Sequence, residues 1–270
     1  IAIIYILYII YMNLLFSIFL LYSLISVNSF LKPICNNYKF KALSMSKYKH
    51  DELMPKSKNQ KQYYTALETI SNGIVIGIGP AGTGKTLFAC QSALKELKNK
   101  QIKKIIITRP LISVEREDIG FLPGTMTDKM DPWTKPIIDV LSNLLTKETV
   151  DKMIVSGIIE LSPLAYMRGR TFKDSFIIAD EMQNSSPNQM KMLTTRIGEG
   201  SKMVINGDLK QTDYTNNNNG LSDLINRIEK YYLDNNDDND YSCIKIINMT
   251  KEDVQRSKIV SKILFMYDDI

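Results

Sequence analysis

The sequence of 270 residues has few cysteines and almost no histidine. Its three cysteines, Cys35, Cys90 and Cys243, are widely spaced and form no Cys-x-x-Cys pair. This spacing argues against a disulfide framework and against a zinc site. The single histidine, His50, precedes the part of the chain that has a mixed composition. Imidazole catalysis and histidine-based metal clusters are therefore not expected.

Acidic residues are missing from the first 50 residues, which carry five lysines. All 29 Asp and Glu residues therefore lie in 51–270, where 29 of the 34 basic residues balance them. The net charge of +5 thus belongs to the N-terminal stretch, and the remainder is neutral. A basic field over the whole protein is excluded, so any nucleic-acid site must be a local patch.

The N-terminal stretch has the composition of a targeting or anchoring segment. Residues 1–31 are uncharged and mostly Ile, Leu, Tyr, Phe and Ser, and with Met12 as the start they contain a signal-peptide hydrophobic region. The basic, acid-free linker 32–50 has the composition of a transit peptide. Together they resemble the bipartite presequences of algae with complex plastids, which predicts plastid localisation. A membrane anchor is an alternative, because roughly 20 apolar residues permit a span; secretion and an upstream-extended translation are others.

Short apolar runs alternate with helical patterns after residue 51. The predicted strands are 73–78, 103–108, 157–161, 175–179, 202–206 and 244–248. The predicted helices are 58–67, 86–97, about 130–145, 147–156, 187–197, 221–233 and 251–267. Unbroken Ile and Val runs between helices are typical of a parallel sheet covered on both faces. We therefore predict a single α/β domain over 51–270.

A glycine-rich segment between the first strand and the next helix fits the phosphate-loop pattern of glycine, four residues, then Gly-Lys-Thr. Its glycines let backbone N–H groups turn inward into an anion site that the helix N-terminus reinforces. Lys85 is predicted to reach the β- and γ-phosphates of a nucleoside triphosphate, and the Thr86 hydroxyl to bind Mg²⁺. The alternative is a plain glycine-rich turn. The predicted phosphate-binding residues are Gly79, Pro80, Ala81, Gly82, Thr83, Gly84, Lys85 and Thr86.

An acidic pair, Asp180 and Glu181, directly follows the predicted strand 175–179. In parallel α/β sheets, ligands bind beyond the carboxyl ends of the strands. We therefore expect Asp180 to hold Mg²⁺ together with Thr86, directly or through water. Glu181 is expected to orient and deprotonate the attacking water.

Four further polar residues follow predicted strands. The amides of Gln183 and Gln211 suit sensing of a γ-phosphate or placement of water, or else bind nearby backbone. Arg168 and Arg170 flank a glycine, and their guanidinium groups suit phosphate or transition-state charge. The alternative for both arginines is a weak surface ion pair. These four residues complete the predicted catalytic set with Lys85, Asp180 and Glu181.

Taken together, these motifs resemble those of the PhoH family of phosphate starvation-inducible ATPases. The resemblance covers about 55–265. It is carried by Gly79 to Thr86, Thr108-Arg109-Pro110, Gly120 to Gly124, Pro163-Leu164-Ala165-Tyr166-Met167-Arg168-Gly169-Arg170-Thr171, Asp180-Glu181-x-Gln183-Asn184, Gln189 to Met192 and Gly207-Asp208-x-x-Gln211. It implies a RecA-like P-loop NTPase core, nucleotide binding and a role in RNA metabolism. Bacterial relatives are cytoplasmic, which is a further alternative for localisation.

The resulting functional expectation is a Mg²⁺-dependent ATPase that acts on RNA. A helicase motor closes its cleft with a second lobe, whereas roughly 210 residues here supply one domain. We therefore expect a ring-like homo-oligomer in which a neighbour supplies Arg168, Arg170 or Arg256. The alternative is a nucleotide-dependent switch or regulatory binding module with little turnover. Membrane association is expected only if the N-terminal segment is retained.

Overall fold

The computed structural model describes residues 52–110, 126–211, 219–235 and 243–255, with 259, 262 and 266; for 126–133 it describes the backbone alone. The targeting segments predicted over 1–31 and 32–50, the motif 120–124 and Arg256 lie outside the described residues. Among the helices of the described part, none has the length and apolar character that a bilayer crossing requires.

Six strands form one parallel sheet in the described part of the chain. They are β1 (Gly73–Ile78), β2 (Lys104–Thr108), β3 (Ile159–Leu161), β4 (Ser175–Ala179), β5 (Lys202–Gly207) and β6 (Ile244–Asn248). Their order across the sheet is β3-β2-β4-β5-β1-β6. Every residue of β4 and β5 is buried, as the unbroken apolar runs predict for strands covered on both faces. The predicted α/β fold with a parallel sheet is confirmed.

Six α-helices and three short 3₁₀ turns connect these strands in the described residues. The helices are α1 (Lys58–Thr69), α2 (Lys85–Lys98), α3 (Met126–Leu144), α4 (Lys147–Val155), α5 (Pro187–Thr194) and α6 (Gly220–Asn235). The turns are Leu164–Met167, Met182–Asn184 and Lys251–Asp253. Capping boxes at Ser57 and Ser186 begin α1 and α5 by satisfying backbone N–H groups that the helices leave unpaired.

Several predicted element boundaries differ from the structure, and three of these differences have a clear local cause. The helix predicted to reach 197 ends at Thr194, because Ile197 forms a parallel bridge with Phe172. The strand predicted from 157 begins at Ile159, after a left-handed turn at Gly157. The α-helix predicted from 251 begins instead as a 3₁₀ turn that Val254 ends in extended conformation.

The strand order brings three loop segments to one edge of the sheet. β5 lies between β1 and β4, so the loop that follows β5 separates the phosphate loop from Asp180. Its strand end is tied to the phosphate loop, because the Gly79 N–H donates to the Gly207 carbonyl at 3.1 Å. The predicted functional residues therefore meet beyond the carboxyl ends of the central strands.

A buried ion pair at the opposite end of β5 fixes α2 to the sheet. Lys202 is 1% exposed and donates to the Glu96 carboxylate and to the Leu67 carbonyl. Its ammonium lies 5.4 Å from the centroid of the Phe176 ring. Burial raises the pKa of Glu96, and the charge of Lys202 opposes that rise.

Removing one partner of this pair is expected to be costly, because the other charge is left buried. We expect Glu96→Ala to lower the free energy of unfolding by about 3 kcal/mol, measured by urea denaturation. Lys103→Ala is the matched control: its 2.6 Å pair with Asp174 is exposed, so the loss should stay below about 1 kcal/mol. Equal losses in the two variants would contradict the burial of the Lys202–Glu96 pair.

Candidate functional site

The phosphate loop requires glycine where its backbone is left-handed or close to another segment. Gly79 has φ 143°, and a Cβ there would lie 2.4 Å from the Met249 carbonyl oxygen. Gly84 has φ 89°, and a Cβ there would lie 3.0 Å from the Phe88 ring. Both positions strain any larger residue, so the glycines of the motif are explained by the geometry of the loop.

Lys85, the first residue of α2, lies against the phosphate loop. Its Nζ donates to the carbonyl oxygens of Gly79 at 2.5 Å and Pro80 at 2.9 Å, and to Thr83 Oγ1 at 3.3 Å. The ammonium is therefore held beside the helix N-terminus. A cation and a helix N-terminus at one place favour an anionic ligand.

Thr86 and Asp180 come together although they belong to elements 94 residues apart. The Thr86 hydroxyl donates to Asp180 Oδ1 at 3.0 Å. Burial raises the pKa of Asp180 to about 6; the charge of Glu181 adds to this rise, while Arg109, Thr86 and Lys85 oppose it. A nearby cation would restore the ionised form.

The oxygen ligands of this pair fit Mg²⁺, which binds one or two carboxylates and takes its other ligands from phosphate and water. The described residues contain no group of three or more His, Cys, Asp and Glu that could hold a metal alone. The hydroxyl of Thr86 and the carboxylate of Asp180 suit a Mg²⁺ ion whose other ligands come from a nucleotide phosphate and water.

Two side chains contact the Glu181 carboxylate. Glu181 has a left-handed backbone, with φ 55°. Arg109 Nη2, at the end of β2, lies 3.4 Å from Glu181 Oε1, and Gln183 Nε2 donates to Oε2 at 2.7 Å. Gln183 Oε1 accepts the Asp208 N–H at 3.1 Å. The buried Gln183 amide thus orients Glu181 and ties it to the end of β5, which agrees with the backbone-binding alternative for this residue.

One cleft of about 240 Å³ brings most of the predicted residues together. It is lined by Ala81, Gly82, Gly84, Lys85, Thr86, Leu87, Val140, Asp180, Glu181, Gly207, Asp208 and Gln211. Gln211 therefore faces the same space as Lys85 and the two carboxylates. The cleft therefore holds a lysine and a helix N-terminus, which favour an anion, beside two carboxylates.

The two predicted arginines lie outside the lining of this cleft. Arg170 forms an ion pair with Glu160 at 2.5 Å, and its guanidinium lies 4.6 Å from the centroid of the Phe172 ring. Arg168 is exposed. Within a single chain, Arg170 forms an ion pair, which was the alternative expected for it. A role for either arginine in a neighbouring subunit stays a prediction.

Sequence reasoning missed the contacts behind the phosphate loop. The Tyr63 hydroxyl donates to Asn206 Oδ1 at 2.8 Å and to the Lys85 carbonyl at 3.4 Å. Gln60, 2% exposed, donates to the Thr83 carbonyl at 3.1 Å. These α1 residues were not found because their partners are remote along the chain; the capping pattern Ser-x-x-Gln that ends at Gln60 was the available signal.

Comparison with known proteins gives consistent matches over the described domain. The family model described as "PhoH-like protein" matches residues 52–268. A PhoH-like protein of Bacillus subtilis is 44% identical over 214 residues, covering 79% of this chain and 63% of that protein. One of Mycobacterium tuberculosis is 43% identical over 216 residues, covering 80% and 58%. Protein PhoH of Escherichia coli is 34% identical over 231 residues, covering 84% and 62%.

The chain spans about three fifths of the length of these curated relatives. A solved structure, the Sulfolobus solfataricus SWI2/SNF2 ATPase core in complex with dsDNA, superposes with a TM-score of 0.43 at 14% identity, covering 74% of this chain and 45% of that one. That similarity is too low to bear on function. The family model alone covers well over half of the sequence. The chain belongs to the PhoH family.

Proposed function

We propose that the protein binds ATP with Mg²⁺ in this cleft and hydrolyses it to ADP and phosphate. The observation that carries the proposal is the 3.0 Å hydrogen bond from Thr86 to Asp180 inside the cleft that Lys85 and Glu181 also line. This contact brings together a hydroxyl and a carboxylate that suit Mg²⁺, in the cleft that Lys85 and Glu181 also line. Enzymes that cleave nucleoside triphosphates with a phosphate loop use groups of these kinds.

In this proposal the phosphates are bound by the loop amides, the N-terminus of α2 and Lys85. The Lys85 ammonium forms its hydrogen bonds with the neutral carbonyls of Gly79 and Pro80. A phosphate oxygen is a stronger acceptor, because both partners of the bond are then charged. Lys85 would exchange these carbonyls for the β- and γ-phosphates, with little movement of the backbone. Mg²⁺, when bound, would neutralise charge on the same phosphates.

Hydrolysis requires a base that faces the γ-phosphate. Glu181 lines the cleft, and its carboxylate is fixed by Arg109 on one oxygen and Gln183 on the other. In this proposal Glu181 orients a water molecule and accepts its proton during attack. Gln211, which lines the same cleft, would contact the γ-phosphate or that water.

The proposal includes a ring-like homo-oligomer, because a helicase motor closes its cleft with a second lobe and roughly 210 residues here supply one domain. A guanidinium that stabilises the transition state would then come from a neighbouring subunit. Arg168 is favoured by its exposure, whereas Arg170 already binds Glu160. Action on RNA stays a prediction from the family resemblance, and stimulation of hydrolysis by RNA is its test.

Glu181→Gln separates an ATPase from a nucleotide-dependent switch. We expect the rate of phosphate release to fall about 10²- to 10⁴-fold, because the amide cannot accept the proton of water. The dissociation constant for ATP should stay within about threefold. Glu199→Gln, an exposed residue of the loop before β5, should leave both quantities unchanged. Unaltered turnover in Glu181→Gln would reject Glu181 as the base.

Asp180→Asn tests the metal site. The amide keeps the shape and can accept from Thr86, but it removes the charge that holds Mg²⁺. We expect the strengthening of ATP binding by Mg²⁺ to fall about tenfold or more, while binding in EDTA changes little. Titration calorimetry measures this difference, with Asp223→Asn, a half-buried residue of α6 outside the cleft lining, as the control. An undiminished Mg²⁺ effect would place the ion elsewhere.

Mixing two inactive variants tests the oligomer. Glu181→Gln lacks the base, whereas Arg168→Ala lacks the arginine and should itself lose at least about 10³-fold in kcat. In randomly mixed rings about one quarter of the sites would combine an intact Glu181 with an intact neighbouring Arg168. We expect turnover to recover to about that share of wild type. No recovery, or a monodisperse monomer with full turnover, would reject supply of Arg168 in trans.

A further inference from the structure

The two carbonyls in the second half of the phosphate loop are held by donors from the two ends of the described domain. The Gly82 carbonyl accepts the backbone N–H of Gln255 at 2.9 Å. The Thr83 carbonyl accepts from Gln60 Nε2 at 3.1 Å. Neither donor is near the loop in sequence, so the orientation of these peptide groups depends on tertiary contacts.

Peptide orientation decides whether this loop can bind an anion. In a trans peptide the C=O and the following N–H point in opposite directions. A Thr83 carbonyl drawn towards α1 therefore directs the Gly84 N–H away from α1, and Gly84 lines the cleft. Rotation of this peptide would present an oxygen to the phosphate in place of a hydrogen-bond donor, which is repulsive.

Gln60 is well placed to fix that orientation, because its amide is buried and fully bonded. Nε2 donates to both the Thr83 and the Asp253 carbonyls, at 3.1 and 3.0 Å. Oε1 accepts from the backbone N–H groups of Lys56 and Ser57, at 2.8 and 3.2 Å. These four bonds use the two donors and two lone pairs of a glutamine amide. Gln60 therefore has no hydrogen-bonding capacity left for a nucleotide base.

The Asp253 contact joins the C-terminal turn to the same point. Asn59 Nδ2 donates to Asp253 Oδ2 at 2.9 Å, and the Thr250 N–H donates to the same oxygen at 2.6 Å. Gln255, which holds the Gly82 carbonyl, follows two residues later. The start of α1 and the turn Lys251–Asp253 thus form one hydrogen-bonded unit behind the loop.

We propose that Gln60 is a positioning residue for nucleotide hydrolysis: it holds the Thr83 peptide so that the Gly84 amide faces the phosphates. The proposal rests on the proposed function, in that the ligand of the loop is a nucleoside triphosphate. Gln60 acts through the loop and does not touch the ligand. Its contribution therefore goes to phosphate binding and is the same whatever base the nucleotide carries.

The test measures dissociation constants for ATP, GTP and inorganic tripolyphosphate, each with Mg²⁺, on the full chain. We expect Gln60→Ala to weaken all three by a similar factor of about tenfold, the worth of one or two hydrogen bonds. In hydrolysis assays KM should rise by that factor, while kcat stays within about threefold.

Two matched controls separate positioning from helix stability. Ser57→Ala removes the capping hydroxyl of α1 but leaves the Thr83 contact, and Gln62→Ala changes an exposed residue of the same helix. Both should bind all three ligands like the wild type. Gln60→Glu retains an acceptor for the cap and loses the amide donor, so it should weaken binding even if Gln60→Ala fails to fold.

Each other outcome overturns the inference. Unchanged binding in Gln60→Glu would mean that the Thr83 contact does not hold the loop. A loss confined to ATP would make Gln60 a reader of the base, and an equal loss in Ser57→Ala would make it a helix cap alone. If the wild type binds none of the three ligands, the proposed function fails as well. If the wild type binds them and the Gln60 variants bind them equally well, the inference about Gln60 fails and the proposed function stands.

Discussion

The hydrogen bond from the Thr86 hydroxyl to Asp180 is the contact on which the site depends. It joins the start of α2, the helix that follows β1, to the residue after β4, although β5 lies between β1 and β4 in the sheet. A buried carboxyl is costly to ionise, and the pKa of about 6 records that cost. The stabilising groups around Asp180, an arginine, a hydroxyl and a lysine, only partly offset it. A divalent cation at this point would complete the balance, which links metal binding to the charge state of the site.

The sheet order converts two separate motifs into one cleft. Because β5 lies between β1 and β4, one strand separates the phosphate loop from the acidic pair. Gly207, Asp208 and Gln211, at the end of β5 and just after it, line the cleft together with both motifs. The Gln183 side chain connects the two segments: its Nε2 donates to the Glu181 carboxylate, and its Oε1 accepts the Asp208 N–H. The Glu181 carboxylate is thereby tied to the start of the segment after β5 that also carries Gln211.

Much of this arrangement could be predicted from local sequence. β1, β4 and β6 have the predicted bounds because each is a continuous apolar run that polar or glycine residues interrupt. The glycine spacing and the Asp-Glu pair predicted several of the residues that line the cleft, because those signals are confined to a few neighbouring positions. The orientation of Gln183, the pairing of Arg170 with Glu160 and the bond from Gln60 to Thr83 could not be predicted. They depend on which strands are neighbours and on how the chain ends return to the loop.

The central claim is that the triphosphate lies between the loop amides and the acidic pair. A crystal structure of the protein with Mg²⁺ and a non-hydrolysable ATP analogue tests it most directly. The account predicts a γ-phosphate within hydrogen-bonding distance of Lys85 Nζ and a Mg²⁺ ion between Thr86 and Asp180. Phosphates bound outside this cleft, or an ion that neither Thr86 nor Asp180 approaches, would contradict it.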